Sequence, residues 1–201
     1  MFYCFIVLLF CSVITNAFAF SFTGNLTNDN EVQLFNFTTS SLSDVTLRTW
    51  SYAGGTNANG DLISSGGFDP VISLFDDLGD FIDENDDGID VSPDPISDNP
   101  YDSLITINLG VGDYTVAIMQ YPIFAVGPTL ADGFSDSGLS FDERTSSWAL
   151  DIEGVDTAIL SSTVTAIPVP AAMWLFGSGV VGLIGVTKRS SKVSALLAKL
   201  G

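Results

Sequence analysis

The 201-residue chain is 46% apolar and carries a formal net charge of −18, so it has enough apolar residues for a core and is not a disordered protein. All 24 acidic residues lie between Asp29 and Asp156, and only Arg48 and Arg144 are basic there, so this stretch has a net charge of −22 and is expected to repel nucleic acid. Histidine is absent and both cysteines lie within the first eleven residues, which excludes thiol or histidine catalysis, disulfides and ordinary zinc sites from the rest of the chain.

Residues 1–19 are predicted to be a secretory signal peptide. An apolar run ends in Ala17-Phe18-Ala19, the small-x-small pattern that signal peptidase accepts, so the mature chain is expected to begin at Phe20. A buried strand or a permanent membrane anchor is the alternative interpretation of this run.

Residues 20–166 are predicted to form an acidic ectodomain built of strands. Short β-type runs at 31–37, 45–51, 70–75, 103–109, 113–121 and 147–152 are separated by Gly, Asn, Asp and Pro clusters. No capped helical period occurs before Ala171, which indicates an all-β, antiparallel β-sandwich.

The clearest of these runs is 113–121. Tyr114, Val116 and Ile118 alternate with Thr115, Ala117 and Met119, so the two sets are expected on opposite faces of one strand. The connections 53–69 and 76–102 are rich in Gly and Asp and are predicted to be ordered surface loops.

The acidic stretch Asp83-Glu84-Asn85-Asp86-Asp87-Gly88 fits the spacing of a calcium loop. The expected ligands are side-chain oxygens of Asp83, Asn85 and Asp87, the backbone carbonyl of Ile89 and a closing carboxylate from Asp94. There are no flanking helices, and an Asp stands where an EF-hand has a bidentate Glu. Calcium is therefore the expected cofactor, with a solvated acidic turn as the open alternative.

Four aromatic residues of the ectodomain have the chemistry to stack on sugars: Trp50, Tyr52, Tyr101 and Tyr121. Aromatic residues in strands also fill cores, and both interpretations stay open. No pair of carboxylates can be chosen from sequence as the acid and base of a glycosidase, so the chain is not expected to be an enzyme.

Residues 167–201 are predicted to be a sorting and anchor segment, with a transmembrane helix at about 171–187. Its 17 uncharged residues would span about 26 Å as a helix, close to the thickness of a bilayer core. Trp174 would lie near one interface, and Lys188 and Arg189 on the cytoplasmic side. The acidic ectodomain is then outside, in agreement with the N-terminal signal.

This end of the chain resembles the PEP-CTERM sorting signal. The likeness rests on Pro168-Val169-Pro170, the following Ala-Ala-x-Trp-Leu-Phe-Gly-Ser-Gly, the apolar run and the basic Lys188-Arg189. It implies processing by an exosortase in a Gram-negative-type bacterium. Val169 replaces the name-giving Glu, and the tail is longer than usual. Helix pairing through small residues such as Ser178 and Gly182 is the alternative role of the glycines.

The ectodomain resembles a family of exported bacterial proteins without an assigned activity, through Val45–Gly60, Gly67–Phe75, Tyr114–Tyr121 and Arg144–Leu150. It is more distantly similar to the bacterial pre-peptidase C-terminal β-sandwich, in which Asp-Pro-x-x-x-Leu-Phe-Asp precedes an Asn-Asp-Asp-Gly loop. Such modules are similar to jelly-roll carbohydrate-binding domains. The resemblance implies a jelly-roll-like, non-catalytic surface or matrix protein associated with exopolysaccharide. The alternatives are a carbohydrate-binding module or accessory domain of polysaccharide processing, and a simple membrane-anchored structural protein.

Overall fold

The computed structural model describes residues 18–136 and 140–165. These residues form eleven β-strands and a three-residue 3-10 helix at Leu130–Asp132, which confirms the all-β class. The strands are β1 Phe18–Asn25, β2 Glu31–Thr39, β3 Ser43–Thr49, β4 Gly55–Thr56, β5 Leu62–Ile63, β6 Pro70–Phe75, β7 Phe81–Asn85, β8 Leu104–Leu109, β9 Gly112–Gln120, β10 Ser147–Val155 and β11 Thr157–Thr165. The predicted signal peptide up to residue 17 and the C-terminal segment from residue 166 lie outside the described residues.

The strands form two main antiparallel sheets. A four-stranded sheet has the order β1-β10-β3-β8, a five-stranded sheet has the order β11-β2-β9-β6-β7, and β4 and β5 form a small separate hairpin. Strand β1 pairs with β10, β2 with β9, β3 with β8 and β6 with β7. These pairs are nested in the sequence, as in a long hairpin that has been rolled up.

The two sheets pack face to face in a β-sandwich-like arrangement. Phe35 of β2 lies with its ring centroid 4.9 Å from that of Phe22 in β1 and 5.5 Å from that of Trp148 in β10, so aromatic rings from opposite sheets meet in the core. Val116 and Ile118 of β9 belong to the same buried cluster. The apolar face predicted for this strand is therefore confirmed.

The outer face of the five-stranded sheet is also covered. Ala117 and Met119, on the opposite face of β9, pack with Val71 and Phe75 of β6 and with Phe134, which lies beyond the sheet in the connection after β9. This second apolar layer explains why every residue of β6 is buried. A strand whose two faces are both covered has a nearly uniform apolar sequence, and the sequence of β6 is Pro-Val-Ile-Ser-Leu-Phe.

The structure confirms the six predicted strands to within a few residues and adds others. The connection 76–102, predicted to be a surface loop, contains strand β7, and 53–69 contains the β4–β5 hairpin. Three of the five residues of β7 are polar or acidic, but the strand pairs with β6 in the register Ile72↔Asn85. Pairing with a buried neighbour therefore decided the structure here, rather than the composition of the strand.

The strand pairing brings several chain segments to one end of the sandwich. Pro70 at the start of β6 pairs with Gln120 at the end of β9. The end of β7 lies beside the same part of β6, and the backbone N–H of Leu104 at the start of β8 donates to Oδ1 of Asn85 at 2.8 Å. The residues that precede β6 and β8 and those that follow β7 and β9 are therefore close together.

Candidate functional site

A cavity of about 240 Å³ lies at this end of the sandwich. Its lining combines aromatic rings with polar and charged side chains: Tyr52, Phe68, Asp69, Tyr101, Gln120, Tyr121, Phe141, Asp142 and Arg144. We call it the tyrosine cavity. Three of the four aromatic residues predicted to stack on sugars line it, although they come from distant parts of the sequence.

The tyrosines differ in accessibility. Tyr52 is 7% exposed, and its ring centroid lies 5.0 Å from that of Tyr101 in an edge-to-face contact. Tyr121 is 43% exposed and is the ring most open to a ligand. Trp50 lies elsewhere, with the Arg48 guanidinium 4.0 Å above its ring and its indole N–H donating to Asp151 at 2.6 Å.

Arg144 connects three parts of the cavity wall. Its guanidinium donates to the carbonyl oxygens of Gly67 at 2.6 Å and Tyr52 at 2.7 Å, and it forms an ion pair with Asp94 at 3.3 Å. The guanidinium carbon also lies 3.4 Å from the ring centroid of Tyr52. Arg144 is therefore fixed by directed contacts on several sides.

Asp94, the predicted closing ligand of the calcium loop, is engaged by protein groups. Its carboxylate accepts hydrogen bonds from the backbone N–H and the hydroxyl of Ser97, both at 2.9 Å, besides the pair with Arg144. Burial by itself raises the pKa of Asp94, but the bonds from Ser97 and Arg144 outweigh it and hold the pKa below its usual range. Asp94 therefore closes a loop by hydrogen bonding.

Asp102 holds the chain segment that presents Tyr52. It is 3% exposed and accepts hydrogen bonds from the backbone N–H groups of Ser51 at 2.6 Å, Tyr52 at 3.1 Å and Ala53 at 2.8 Å. The hydroxyl of Thr49 donates a fourth bond at 3.0 Å. Burial raises the pKa of Asp102 despite these four donors. Sequence analysis did not select this residue, since its donors lie about fifty residues earlier.

Three carboxylates lie together beside the cavity, and we call them the acidic cluster: Asp69, Asp86 and Asp87. Among the described residues, these three each place one carboxylate oxygen within 4.8 Å of the other two, close enough for the oxygens to share a metal ion. Asp87 was a predicted calcium ligand, whereas Asp69 and Asp86 were not. Asp69 lies in the Asp-Pro motif just before β6, and Asp86 lies in the Asn-Asp-Asp-Gly motif just after β7. Predicting that β6 and β7 pair as a hairpin would therefore have placed these carboxylates together.

The acidic cluster is electrostatically unfavourable as it stands. Burial, followed by repulsion from Asp86, Asp87 and Asp102, raises the pKa of Asp69 to about 8, and the Arg144 charge only partly opposes this. Burial and the neighbouring carboxylates raise the pKa of Asp86 to about 6, and burial also raises that of Asp87. At neutral pH the cluster therefore retains protons that isolated aspartates would have lost.

Two of the other predicted calcium ligands, Asp83 and Asp94, do not belong to the acidic cluster. Oδ1 of Asp83 accepts the backbone N–H of Glu84 at 2.9 Å, and the Asn85 amide bridges Leu104 and Asp87. The Ile89 side chain is 98% exposed. Of the predicted set, the structure brings only Asp87 into a group of carboxylates.

A larger depression of about 340 Å³ lies over β2, β9 and β11. Its polar side chains bond to one another: Thr115 donates to Asn36 at 3.2 Å, and the hydroxyls of Thr38 and Thr157 lie 2.8 Å apart. None of its lining residues has an unpartnered buried polar atom. The candidate site is therefore the smaller tyrosine cavity with its acidic cluster.

The predicted processing sites fall largely outside the described residues. Ala17, Pro168, Pro170, Trp174, Lys188 and Arg189 are not among them. Ala19 is the second residue of β1 and pairs with Glu153 of β10. Among the described residues, no helix has the length and apolar character needed to cross a membrane.

No protein-family model matches this chain, and no curated protein matches it significantly.

Proposed function

We propose that this chain is a non-catalytic protein exported to the surface or extracellular matrix of a Gram-negative-type bacterium, where it binds exopolysaccharide in the tyrosine cavity. The observation that carries the proposal is the convergence of Tyr52, Tyr101 and Tyr121 on one cavity. Saccharide sites combine aromatic rings for the apolar sugar face with a few fixed polar groups for the hydroxyls. Gln120 and Arg144 are such polar groups here.

The topology supports this proposal at the level of fold. Four nested antiparallel pairs divided between two sheets are consistent with a jelly-roll-like sandwich. This is the architecture implied by the resemblance to pre-peptidase C-terminal modules and, through them, to carbohydrate-binding domains. Fold alone does not assign a ligand, so the cavity remains the stronger argument.

Export by signal peptidase and sorting by exosortase are compatible with the strand order. Strands β1 and β11 are edge strands, one in each sheet. Cleavage after Ala19 would remove only two residues from β1 and leave Phe20–Asn25 paired with β10. Processing at either end would therefore leave the inner strands and the core intact.

Mass spectrometry of the protein from its native host tests the processing. We expect a mature N-terminus at Phe20 and loss of the C-terminal segment. A Pro168→Ala/Pro170→Ala variant should retain that segment in the membrane fraction, because the prolines separate the sorting signal from the ectodomain. A wild-type chain that begins at Met1 or Cys11 would contradict the signal peptide. An intact C-terminus in exported wild type would favour a simple membrane anchor.

Affinity electrophoresis in gels that contain the host's exopolysaccharide tests the ligand. Tyr121→Ala should bind roughly two- to tenfold more weakly than wild type, since one aromatic contact contributes about 0.5–1.5 kcal/mol. Tyr121→Phe is the matched control and should bind nearly as wild type does, because it keeps the ring. Unretarded migration of the wild type would refute polysaccharide binding.

One observation favours a carbohydrate-active enzyme as the second candidate. Asp69 lines the cavity, and burial raises its pKa to about 8, as suits a carboxyl group that must donate a proton at neutral pH. Release of reducing sugar from the same polysaccharide, abolished in Asp69→Asn, would establish this alternative. Retention of the wild type without sugar release would support the binding module.

A further inference from the structure

The acidic cluster is assembled by the β6–β7 hairpin. Asp69 directly precedes β6, and Asp86 and Asp87 directly follow β7, so antiparallel pairing places the three residues at the same end. The buried hydroxyl of Ser103, which can donate one hydrogen bond, lies 2.6 Å from the carbonyl oxygen of Pro70 and 2.8 Å from that of Asp86. The cluster therefore lies at the paired end of the β6–β7 hairpin, next to the start of β8.

Two carboxylate oxygens of the cluster are buried without a partner. Oδ1 of Asp69 and Oδ1 of Asp86 accept no hydrogen bond from the residues that the structure describes. Arg144 directs its guanidinium to Gly67, Tyr52 and Asp94 instead. Buried acceptors without donors are rare and costly in folded proteins, and they call for a positively charged or donating group.

Gln120 supplies an independent observation. It is only 3% exposed, and its side-chain oxygen Oε1 is also buried without a hydrogen-bond partner among residues 18–136 and 140–165. Gln120 pairs in the sheet with Pro70, the residue after Asp69, and it lines the same cavity as Asp69. Gln120 thus adds a further unpartnered buried oxygen to the cavity that Asp69 lines, and a cation would satisfy it together with the free oxygens of Asp69 and Asp86.

We propose that Asp69, Asp86 and Asp87 bind a calcium ion, with the side-chain oxygen of Gln120 as a further ligand. The ligand set consists of oxygens, which select hard cations. Oxygens that share one calcium at 2.3–2.6 Å lie up to about 5 Å apart, so three oxygens within 4.8 Å of one another can reach the same ion. Magnesium suits an all-protein ligand set less well, because it demands near-ideal octahedral geometry and gives up its waters reluctantly.

This site differs from the calcium loop predicted from sequence. The loop Asp83–Asp94 contributes only Asp86 and Asp87, and the third carboxylate comes from Asp69, outside the loop. A bound cation would also offset the burial that raises the pKa values of all three carboxyl groups and the repulsion that adds to it at Asp69 and Asp86. The proposal does not depend on saccharide binding, and its test contains no saccharide.

The test is calorimetric titration of the full-length chain in detergent with CaCl2. We expect one saturable site with a Kd of about 10⁻⁴–10⁻³ M, the range of extracellular modules. Asp86→Asn/Asp87→Asn should weaken binding at least tenfold, while Asp83→Asn/Asp90→Asn should stay within about twofold of wild type. The two double variants remove the same charge from the same segment, so only the cluster distinguishes them.

Several results would overturn the proposal: no saturable heat with wild type, equal loss in both double variants, or loss confined to Asp83→Asn/Asp90→Asn. Tighter binding of MgCl2 than of CaCl2 would refute the choice of ion. Far-ultraviolet circular dichroism checks that Asp86→Asn/Asp87→Asn keeps its sheets. If it does not, Asp69→Asn takes its place, with the same expected tenfold loss.

Discussion

Replacing Arg144 by methionine is expected to lower the free energy of unfolding by about 3–5 kcal/mol, the cost of removing one partner of a buried ion pair. Asp94 is 2% exposed and would keep its charge without a counter-ion. The carbonyl oxygens of Gly67 and Tyr52 would lose their guanidinium donors as well. Urea-induced unfolding followed by tryptophan fluorescence measures this loss.

Arg48→Met is the matched control, since Arg48 is the other basic residue of the described ranges. Its guanidinium lies over Trp50, and no ion pair is formed by it within those ranges. Its replacement should cost about 1 kcal/mol or less. Arg144→Lys keeps the charge but lacks the planar guanidinium group, so its loss of unfolding free energy should fall between those of Arg144→Met and Arg48→Met. Equal losses for Arg144→Met and Arg48→Met would show that the contacts of Arg144 do not stabilise the fold.

Asp102→Ala is expected to destabilise the chain by about 3 kcal/mol or more, because it leaves three backbone N–H groups without an acceptor and removes the nearer of the two acceptors of the Thr49 hydroxyl. These donors belong to the segment 49–53, which carries Tyr52 into the cavity. Chemical denaturation measures the loss. Asp113→Ala, at an exposed position of β9, should change stability by less than about 0.5 kcal/mol.

Asp102→Asn separates charge from hydrogen bonding. Oδ1 keeps its acceptor role, but the amide group that replaces Oδ2 would face the N–H of Ala53. Because burial raises the pKa of Asp102, its ionisation opposes folding. The free energy that Asp102 contributes to stability therefore falls as the pH rises above about 4. The stability deficit of Asp102→Asn should therefore shrink from pH 4 towards neutrality. A deficit that grows over this range would contradict the direction of the pKa shift.

Strands with clear alternation or continuous apolar character could be predicted from the sequence. In β9 the alternation of Val116 and Ile118 with Ala117 and Met119 identified both the strand and its two faces. Strand β6 was recognisable as an apolar run between turn residues. These strands carry their own signal because the residues that fill the core are adjacent or alternate in sequence.

Strands whose structure depends on a distant partner could not be predicted in this way. β7 contains Asp83 and Glu84 and resembles a loop, yet it pairs with buried β6. β1 begins inside the predicted signal peptide, and β11 is an edge strand with the exposed residues Ile159 and Leu160. Their registers with β10 and β2 join residues more than a hundred positions apart.

The candidate site shows the same limit. The acidic loop and the tyrosines were recognisable as residue types, but their partners were not. Asp94 was predicted to bind metal because nothing in its neighbourhood reveals that Arg144, fifty residues later, pairs with it. Asp69 was overlooked because its place beside Asp86 and Asp87 follows from the β6–β7 pairing.

The nested pairing has a consequence for the time at which the protein folds. None of the strands β1, β2 and β3 pairs with another of the three: β1 joins β10, β2 joins β9 and β11, and β3 joins β8 and β10. The earliest of these partners begins at Leu104, so β1, β2 and β3 have no main-sheet partner until the chain has been synthesised beyond that residue. Such long-range pairing makes folding slow. This order of pairing would suit the proposed export, because a chain that folds late remains unfolded long enough to be threaded through a secretion channel before its sheets close.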